Sequence, residues 1–209
     1  ASLAVAICRG GFEFQGQKCS AASRIYLPSN LAGDVLERCQ GMIAEMKMGD
    51  VRDFSNFLSA VIDRRSFDKI SGYVDLANST AKVLAGGHYD DSEGFFIEPT
   101  LAQVDDPKHR LMEEEIFGPV VSVYVYDESD FDGACRLVDS TSPYALTGAV
   151  FARDRHVLAR ASEALRFSAG NFYLNDKPTG AVVGMQPFGG GRASGTNDKA
   201  GSALNLLRW

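Results

Sequence analysis

The sequence has no long apolar run and no surplus of basic residues. Its uninterrupted apolar stretches fall far short of the ~20 residues that cross a bilayer. The 209 residues include 21 lysines and arginines against 27 aspartates and glutamates, which gives a net charge of −6. Such a balance provides no basic patch for nucleic acid. No nucleic acid and no membrane are therefore expected as partners, and a small molecule is predicted instead.

The sequence also lacks the cysteine and histidine spacings of a metal site or of a disulfide framework. It has four cysteines and three scattered histidines, with no Cys-x-x-Cys pair. Cys8, Cys39 and Cys135 stand among apolar neighbours, where an unpaired cysteine usually behaves as a small buried hydrophobe. These three are predicted to pack in the core of a protein from a reducing, intracellular setting.

Helical and strand patterns alternate along most of the chain, which indicates the α/β class with a parallel-rich open sheet flanked by helices. The length and the 45% hydrophobic content suit one globular domain. The second helix is predicted to have Ser29 or Asn30 as its N-cap and to close at Gly49. The pattern predicts helices over about 3–15, 30–47, 65–79, 129–139 and 154–167, and strands at 24–27, 82–85, 95–97, 120–126, 147–152 and 170–175.

Cys19 differs from the other cysteines because it lies at a polar junction. It follows Gly-Gln-Lys at 16–18, precedes Ser20, and stands between an apolar opening segment and the strand-like run 24–27. A nearby cation or helix N-terminus would lower the pKa of the thiol and increase the thiolate fraction. By residue type alone packing remains the commoner role of a cysteine. The setting makes Cys19 the candidate nucleophile.

Residues 179–201 are rich in glycine and show no periodicity. The run Pro-Phe-Gly-Gly-Gly-Arg at 187–192 fits neither a helix nor a strand and predicts a shaped loop. Clustered glycines let the backbone approach a ligand closely, although an ordinary surface turn has a similar composition. No Gly-x-Gly-x-x-Gly run follows a strand, so the chain shows no dinucleotide-binding fingerprint.

Four separated motifs resemble the aldehyde dehydrogenase family in their order and spacing, from about residue 3 to the end of the chain. Three further runs resemble its 1-pyrroline-5-carboxylate dehydrogenase branch, also called glutamate-semialdehyde dehydrogenase. Met185 and Gly191 depart mildly from it, because close relatives often carry glutamine and alanine there. The four family motifs are at 16–19, 114–119, 170–172 and 187–190, and the branch runs are at 19–20, 175–184 and 192–199.

The resemblance implies a covalent mechanism for an NAD-dependent dehydrogenase of proline degradation, which oxidises glutamate γ-semialdehyde to glutamate. The Cys19 thiolate would attack the aldehyde carbon, a hydride would pass to NAD, and water would hydrolyse the thioester. The backbone N–H of Cys19 would bind the developing oxyanion. The resemblance assigns cofactor binding to Glu115 and Phe117, and substrate binding to Ser20, Gly180, Ala181 and Phe188.

The resemblance also implies that residues 1–209 are the thiol-bearing catalytic domain alone. In the family, the nucleotide-binding domain, the oxyanion-hole asparagine and the glutamate proposed as general base precede the cysteine. A short closing strand that helps subunits associate would follow Trp209. We therefore expect no NAD-dependent turnover from this chain by itself and a homo-oligomer for the full-length enzyme. The expected location is the cytoplasm, or the mitochondrial matrix in a eukaryote.

Other interpretations remain open at this stage. The enzyme could be another semialdehyde or aldehyde dehydrogenase. Cys19 could serve a Cys-His hydrolase or acyltransferase, which would need a histidine oriented by a third group. The chain could also be a noncatalytic α/β module with a structural cysteine, which alkylation would reveal because a buried thiol is inert. By composition alone, residues 113–115 could form a solvated acidic patch and Phe117 and Phe188 could simply be packed aromatics.

Overall fold

The computed structural model of the protein describes residues 1–182 and 185–209. The end of the 175–184 motif, at 183 and 184, lies outside the described residues. The chain divides into two compact units, 1–129 and 130–209. The helices are α1 (Ser2–Phe12), α2 (Ser29–Ala44), α3 (Arg64–Thr80), α4 (Arg110–Glu113), α5 (Phe131–Ser140), α6 (Arg155–Ala164) and α7 (Ala203–Leu206). The strands are β1 (Arg24–Pro28), β2 (Lys82–Ala85), β3 (Tyr89–Asp90), β4 (Phe96–Ile97), β5 (Thr100–Val104), β6 (Val120–Tyr126), β7 (Tyr144–Ala145), β8 (Thr147–Val150), β9 (Asn171–Leu174) and β10 (Gly191–Arg192).

The first unit is built on a four-stranded sheet in the order β1-β6-β5-β2. The pairs β1/β6 and β5/β6 are parallel, and β2 closes the sheet as an antiparallel edge strand. The two-residue strands β3 and β4 form a separate antiparallel pair. The predicted α/β class with a mainly parallel sheet is therefore confirmed.

Helices cover both faces of this sheet, and β6 shows why. Its side chains alternate between the faces, as the two-residue period of a strand requires. Val121 and Val123 join the hydrophobic cluster under α1 and α2, whereas Val120 joins the cluster under α3. All three valines are at most 1% exposed, as expected for a parallel strand buried on both sides.

The second unit contains two small sheets. Strands β8 and β9 pair in parallel, while β7 and β10 form a short antiparallel pair. Helices α5 and α6 pack against each other, linked by the Arg160–Asp132 ion pair at 2.7 Å. Among the residues placed by the structure, no helix is both long and apolar enough to cross a membrane.

The structure corrects the predicted N-cap and end of α2 and the predicted end of the first helix. Helix α2 starts at Ser29 with Pro28 as its N-cap residue and no side-chain cap, and it ends at Ala44 rather than at Gly49. It ends early because the N–H of Met46 bonds to the carbonyl of Ile43, three residues back, and tightens the last turn. The first helix ends at Phe12 and continues as a 3₁₀ turn over Glu13–Gly16.

The central strand β5 was not predicted. Its sequence, Thr-Leu-Ala-Gln-Val, contains an alanine and a glutamine of low strand propensity. Burial between β6 and β2 overrides that local preference, since Leu101 and Ala102 are fully buried there.

Candidate active site

Cys19 lies on a tight turn in the first unit, between the 3₁₀ turn and β1. The N–H of Ala21 donates to the carbonyl of Lys18 at 3.0 Å, so Cys19 and Ser20 occupy the centre of the turn. The thiol is free and exposed. Its backbone N–H has no acceptor among the described residues. The turn thus presents a sulfur and an unused N–H donor side by side, as the resemblance requires of a nucleophile.

Two glutamines fasten the loop before Cys19 to the segment at 60–62. The Gln15 amide donates to the carbonyl of Ala60 at 2.9 Å. The Gln17 amide oxygen accepts from the N–H of Ile62 at 3.0 Å. These bonds connect residues 45 positions apart in the sequence. They hold the nucleophile loop against a distant part of the chain.

The cation next to Cys19 is already engaged. Lys18 Nζ lies 3.1 Å from the Glu13 carboxylate, which also pairs with Arg9 at 2.6 Å. The same ammonium lies 5.4 Å from the centroid of the Phe14 ring, within the range of a cation–π contact. The predicted cation near the thiol is therefore present in the sequence, but its charge is balanced by Glu13.

The nucleophile loop and the 114–119 motif meet through glycines. Phe14, Gln15 and Gly16 all have left-handed backbone angles, with φ of 54°, 59° and 63°. A Cβ on Gly16 would lie 2.4 Å from the carbonyl oxygen of Gly118. Only glycine allows this approach, so two of the four family motifs are brought into direct contact within the first unit.

In the segment 113–118, exposed and packed side chains alternate. Glu115 and Phe117 are exposed, whereas Ile116 is buried and Glu114 is hydrogen-bonded to α3. Phe117 has a φ of 59°, which is uncommon for an aromatic residue. The two residues assigned to the cofactor therefore share one free side of the segment.

Contacts from α3 hold this segment in place. Lys69 Nζ donates to the backbone carbonyl of Glu115 at 2.7 Å, which leaves the Glu115 carboxylate free of partners among the described residues. Ile70 lies beneath Gly118, where a Cβ would come within 2.6 Å of the isoleucine side chain. Neither contact was apparent from the sequence, because each joins residues more than 40 positions apart.

Glu114 is anchored by two side chains. The Tyr73 hydroxyl donates to its carboxylate at 2.6 Å, and Arg110 donates to both oxygens at 3.0 Å. The hydrogen bonds from Arg110 and Tyr73 lower the pKa of Glu114 to about 2. This part of residues 113–115 is therefore not a simple solvated acidic patch. In the sequence, this pairing is indicated only by the spacing of Arg110 and Glu114, which lie four residues apart.

In the second unit, Asn171 on β9 holds the loop that carries Phe188. Its amide donates to the carbonyl of Pro187 and its amide oxygen accepts from the N–H of Gly189, both at 3.0 Å. Phe188 exchanges two backbone hydrogen bonds with Ala200. The motifs at 170–172 and 187–190 are thus assembled within one unit.

Lys199 adds a cation to the same loop. Its ammonium donates to the carbonyls of Gly170 and of Gly189, the latter at 3.0 Å, and burial lowers its pKa. A Cβ on Gly170 would lie 2.0 Å from the Gly189 oxygen, so glycine is required there. In the sequence, Lys199 belongs to the 192–199 run, but nothing there indicates that its side chain bonds to Gly170. Its contact with Gly170 spans 29 positions.

Gly180 and Ala181 follow β9 and belong to the same unit as Phe188. A Cβ on Gly180 would lie 3.2 Å from the Tyr173 ring. The Tyr173 hydroxyl accepts from the Gln186 amide at 3.0 Å. This β9 side chain therefore lies beside Gly180 and also bonds to the residue that precedes the 187–190 motif. Within the parts of the chain that the structure covers, the N–H groups of Gly180 and Ala181 have no acceptor. They are available to an anionic group.

The remaining cysteines and one histidine have structural environments. Cys8 and Cys39 are fully buried, and the hydrogen bond to Cys39 together with burial raises the pKa of the Cys8 thiol. Burial likewise raises the pKa of Cys135. The packing roles predicted for all three are confirmed. His109 caps α4, since its Nδ1 accepts from the N–H of Leu111 at 3.1 Å.

Within residues 1–182 and 185–209, no group of three or more histidine, cysteine or acidic side chains could hold a metal ion. Residues 115–117 present a free carboxylate and an exposed aromatic ring, which are groups that a nucleotide could contact. A free carboxylate can accept both hydroxyls of a ribose, and an exposed aromatic ring offers a flat apolar surface beside it. The structure therefore pairs an exposed thiol with a segment suited to a ribose.

Comparison with known proteins defines the class. The model of the aldehyde dehydrogenase family matches residues 1–207, and the chain belongs to this family. It is 54% identical over 203 residues to the mitochondrial delta-1-pyrroline-5-carboxylate dehydrogenase of Dictyostelium discoideum, covering 96% of this chain and 36% of the relative. The protein of the same name from Homo sapiens is 50% identical, with the same coverage.

Solved structures give the same result. The delta-pyrroline-5-carboxylate dehydrogenase of Mycobacterium tuberculosis, in a crystal structure bound with NAD, superposes with a TM-score of 0.90 at 48% identity. The alignment covers 100% of this chain and 38% of that protein. The chain thus spans less than two fifths of the length of the relatives it matches.

Proposed function

We propose that this chain is the thiol-bearing catalytic domain of an NAD-dependent 1-pyrroline-5-carboxylate dehydrogenase. The enzyme would oxidise glutamate γ-semialdehyde to glutamate in proline degradation. The observation that carries the proposal is the exposed Cys19 on its turn, in contact through Gly16 with the segment that presents Glu115 and Phe117. Family membership and the 48–54% identity to enzymes of that name support it.

Cys19 would act as the nucleophile. Its sulfur forms a bond to the aldehyde carbon, and the resulting oxyanion receives a hydrogen bond from the free backbone N–H of Cys19. Loss of one such donor typically costs ~3 kcal/mol of transition-state stabilisation. Release of the hydride leaves a thioester on Cys19, which water hydrolyses to the acid. Covalent attachment divides one difficult step into two easier ones.

Glu115 and Phe117 would hold the cofactor. NAD, when bound, accepts the hydride. The Glu115 carboxylate would accept hydrogen bonds from the two ribose hydroxyls, since both of its oxygens are free of protein donors among the described residues. The exposed Phe117 ring would pack beside the same ribose.

Ser20, Gly180, Ala181 and Phe188 would hold the substrate. The aldehyde carries a carboxylate at its far end, and backbone N–H groups in a loop can bind such an anion without a buried cation. Gly180 and Ala181 offer unused N–H groups for it, and Ser20 would add a hydroxyl donor. Phe188 would cover the aliphatic part of the substrate.

We further propose that the full-length enzyme forms a homo-oligomer and receives its nucleotide-binding domain from other parts of its chain. Relatives from Dictyostelium discoideum and Homo sapiens are named as mitochondrial. A eukaryotic source would therefore place the enzyme in the mitochondrial matrix, and a bacterial one in the cytoplasm.

The test is NADH formation by the full-length enzyme, comparing glutamate semialdehyde with an uncharged aldehyde of equal length. We expect a strong preference for the substrate with the carboxylate. Cys19→Ser should abolish the activity, whereas Cys135→Ser should retain it, because that thiol is buried. Equal rates on the two aldehydes would leave an aldehyde dehydrogenase without the pyrroline-carboxylate assignment. Absence of NADH would favour the structural-cysteine interpretation.

A further inference from the structure

Glu114 is the residue of the acidic triplet at 113–115 that has fixed partners. We infer that Glu114, clamped by Tyr73 and Arg110, is a positioning residue that fixes Glu115 and Phe117 on the cofactor side of their segment. This role depends on the proposed function, because it requires a cofactor at those two residues. It adds Tyr73 and Arg110 to the set of residues that control cofactor affinity.

The clamp uses the whole Glu114 carboxylate. Arg110 Nε and Nη2 each donate to one oxygen at 3.0 Å, which is the two-pronged geometry that arginine forms with carboxylates. The Tyr73 hydroxyl adds a third bond at 2.6 Å, and the guanidinium lies 5.9 Å from the centroid of the Tyr73 ring. With both oxygens occupied, Glu114 is unsuited to bind a ribose itself.

The clamp restricts Glu115 and Phe117 because anchored and exposed residues alternate along the segment 113–118. Glu114 is tied to α3, and Ile116 is only 1% exposed in the core cluster beneath α3. Glu115 therefore lies between two fixed residues, and its own side chain is exposed. Phe117 likewise lies between the buried residues Ile116 and Gly118, and its ring is exposed.

The strain at Phe117 explains why such anchoring is needed. An aromatic residue with a φ of 59° occupies a strained backbone region, which persists only when its surroundings hold it. Without the Glu114 clamp, the segment would gain freedom to relax. Glu115 and Phe117 would then sample orientations in which they no longer meet the same ribose.

The experiment uses the full-length enzyme with Tyr73→Phe and a matched control, Tyr89→Phe. Both tyrosine hydroxyls donate to a carboxylate, and both bonds involve a residue of α3, but Tyr89 donates to Asp75 at 3.1 Å, outside the segment 113–118. For Tyr73→Phe we expect the KM for NAD to rise about tenfold, as loss of a hydrogen bond to a charged group allows. The kcat at saturating NAD should be unchanged. Tyr89→Phe should leave both constants unchanged.

A second readout separates positioning from general damage. Hydrolysis of an activated aryl ester without NAD reports on Cys19 alone, and Tyr73→Phe should leave it unchanged. Arg110→Met, which removes the other arm of the clamp, should raise the KM for NAD in the same way. A lower melting temperature with an unchanged KM for NAD would overturn the inference, as would an equal loss of ester hydrolysis. Absence of NADH from the wild-type enzyme would instead remove the proposed function on which the inference depends.

Discussion

At the scale of single residues, the chain places four identical thiols in two kinds of surroundings. Cys19 is exposed at the centre of a turn, whereas Cys8, Cys39 and Cys135 are buried. A buried structural thiol is inert because reagents cannot reach it, whereas an exposed thiol is accessible to them. The difference in chemistry between these cysteines therefore follows from position rather than from residue type.

This difference predicts the outcome of alkylation. Iodoacetamide should modify Cys19 in the native chain and should modify Cys8, Cys39 and Cys135 only after unfolding in urea. Peptide mass spectrometry of the two samples measures it. Cys19→Ser should remove the native label, and Cys135→Ser should not change it. Native labelling of the three buried thiols would contradict the packing described here.

Glu114 predicts a dependence of stability on pH. Its folded pKa of about 2 lies below the ordinary glutamate value of 4.5, so folding favours its ionised form. The stability it contributes is present above pH 4.5 and is lost as the pH falls towards about 2. Urea unfolding should therefore show Glu114→Gln less stable than wild type at neutral pH, with the difference shrinking over that window.

The control for this titration is Glu113→Gln, because Glu113 is the exposed neighbour. Because Glu113 lies outside the clamp, Glu113→Gln should change the free energy of unfolding by no more than about 0.5 kcal/mol. A constant gap between Glu114→Gln and wild type from neutral to strongly acidic pH would show that the carboxylate charge is not what stabilises the clamp.

The site was predictable from the sequence where its chemistry is local. Cys19 and Ser20 form a turn that a contiguous motif indicates, and Glu115 and Phe117 lie within another. The supports were not predictable. Tyr73 bonds a carboxylate 41 positions away, and no local spacing encodes such a pair. A tertiary contact becomes visible only when the sheet has placed α3 against the segment.

At the scale of elements, glycines determine where motifs can meet. Gly16 has a φ of 63°, and a Cβ there would press on the backbone of Gly118. Gly33, within α2, has nothing within 4 Å of the position that a Cβ would occupy. The same substitution therefore has opposite effects at the two sites.

Gly16→Ala should destabilise the protein by at least about 2 kcal/mol, because it combines a left-handed backbone with a clash. Gly33→Ala should stabilise it by about 0.5–1 kcal/mol, since alanine loses less entropy than glycine in a helix. The free energy of unfolding in urea measures both. Equal effects at the two positions would show that the nucleophile loop does not approach Gly118 as described.

The second unit offers a parallel comparison. Gly170→Ala should cost about 1–3 kcal/mol, because its Cβ would lie 2.0 Å from the Gly189 carbonyl oxygen, which is backbone and cannot rotate away. Gly191→Ala should fall within about 0.5 kcal/mol of wild type, since nothing lies within 4 Å there. Thermal unfolding followed by circular dichroism would distinguish them.

Elements with strong patterns were predicted well, and those decided by packing were not. The bounds of β2 and β6 agree with the sequence prediction, and α3 differs from it by one residue at each end. Strand β5 and the short helix α4 were missed. Their residues have weak local preferences and take their structure from neighbours such as β6 and His109.

At the scale of the whole molecule, the described residues leave several large apolar side chains exposed. Phe54 and Trp209 are almost fully exposed, and Ile62 and Leu207 are about four-fifths exposed. Exposed apolar side chains of this size can contribute to a surface that another part of a protein covers. The chain spans 36–39% of the length of its matched relatives. We propose that other parts of a full-length protein cover these side chains.

We therefore expect the 209-residue chain to self-associate and to form no NADH by itself. Light scattering over a range of concentrations and an NADH assay on the same sample measure the two properties. Ile62→Ser should reduce association while keeping the bond to Gln17, because that bond uses the Ile62 backbone N–H. A clean monomer at high concentration would contradict the first expectation, and NADH production would contradict the second.

The pairing of β1 with β6 sets an order of events during synthesis. Strand β1 finds its partner about a hundred residues later in the chain, and it has no other strand neighbour among the described residues. A ribosome that adds ~5–20 residues per second would leave β1 unpaired for roughly 5–20 s. The strand that follows Cys19 is thus translated early and paired late, so the nascent chain carries the Cys19 thiol beside an unfinished sheet.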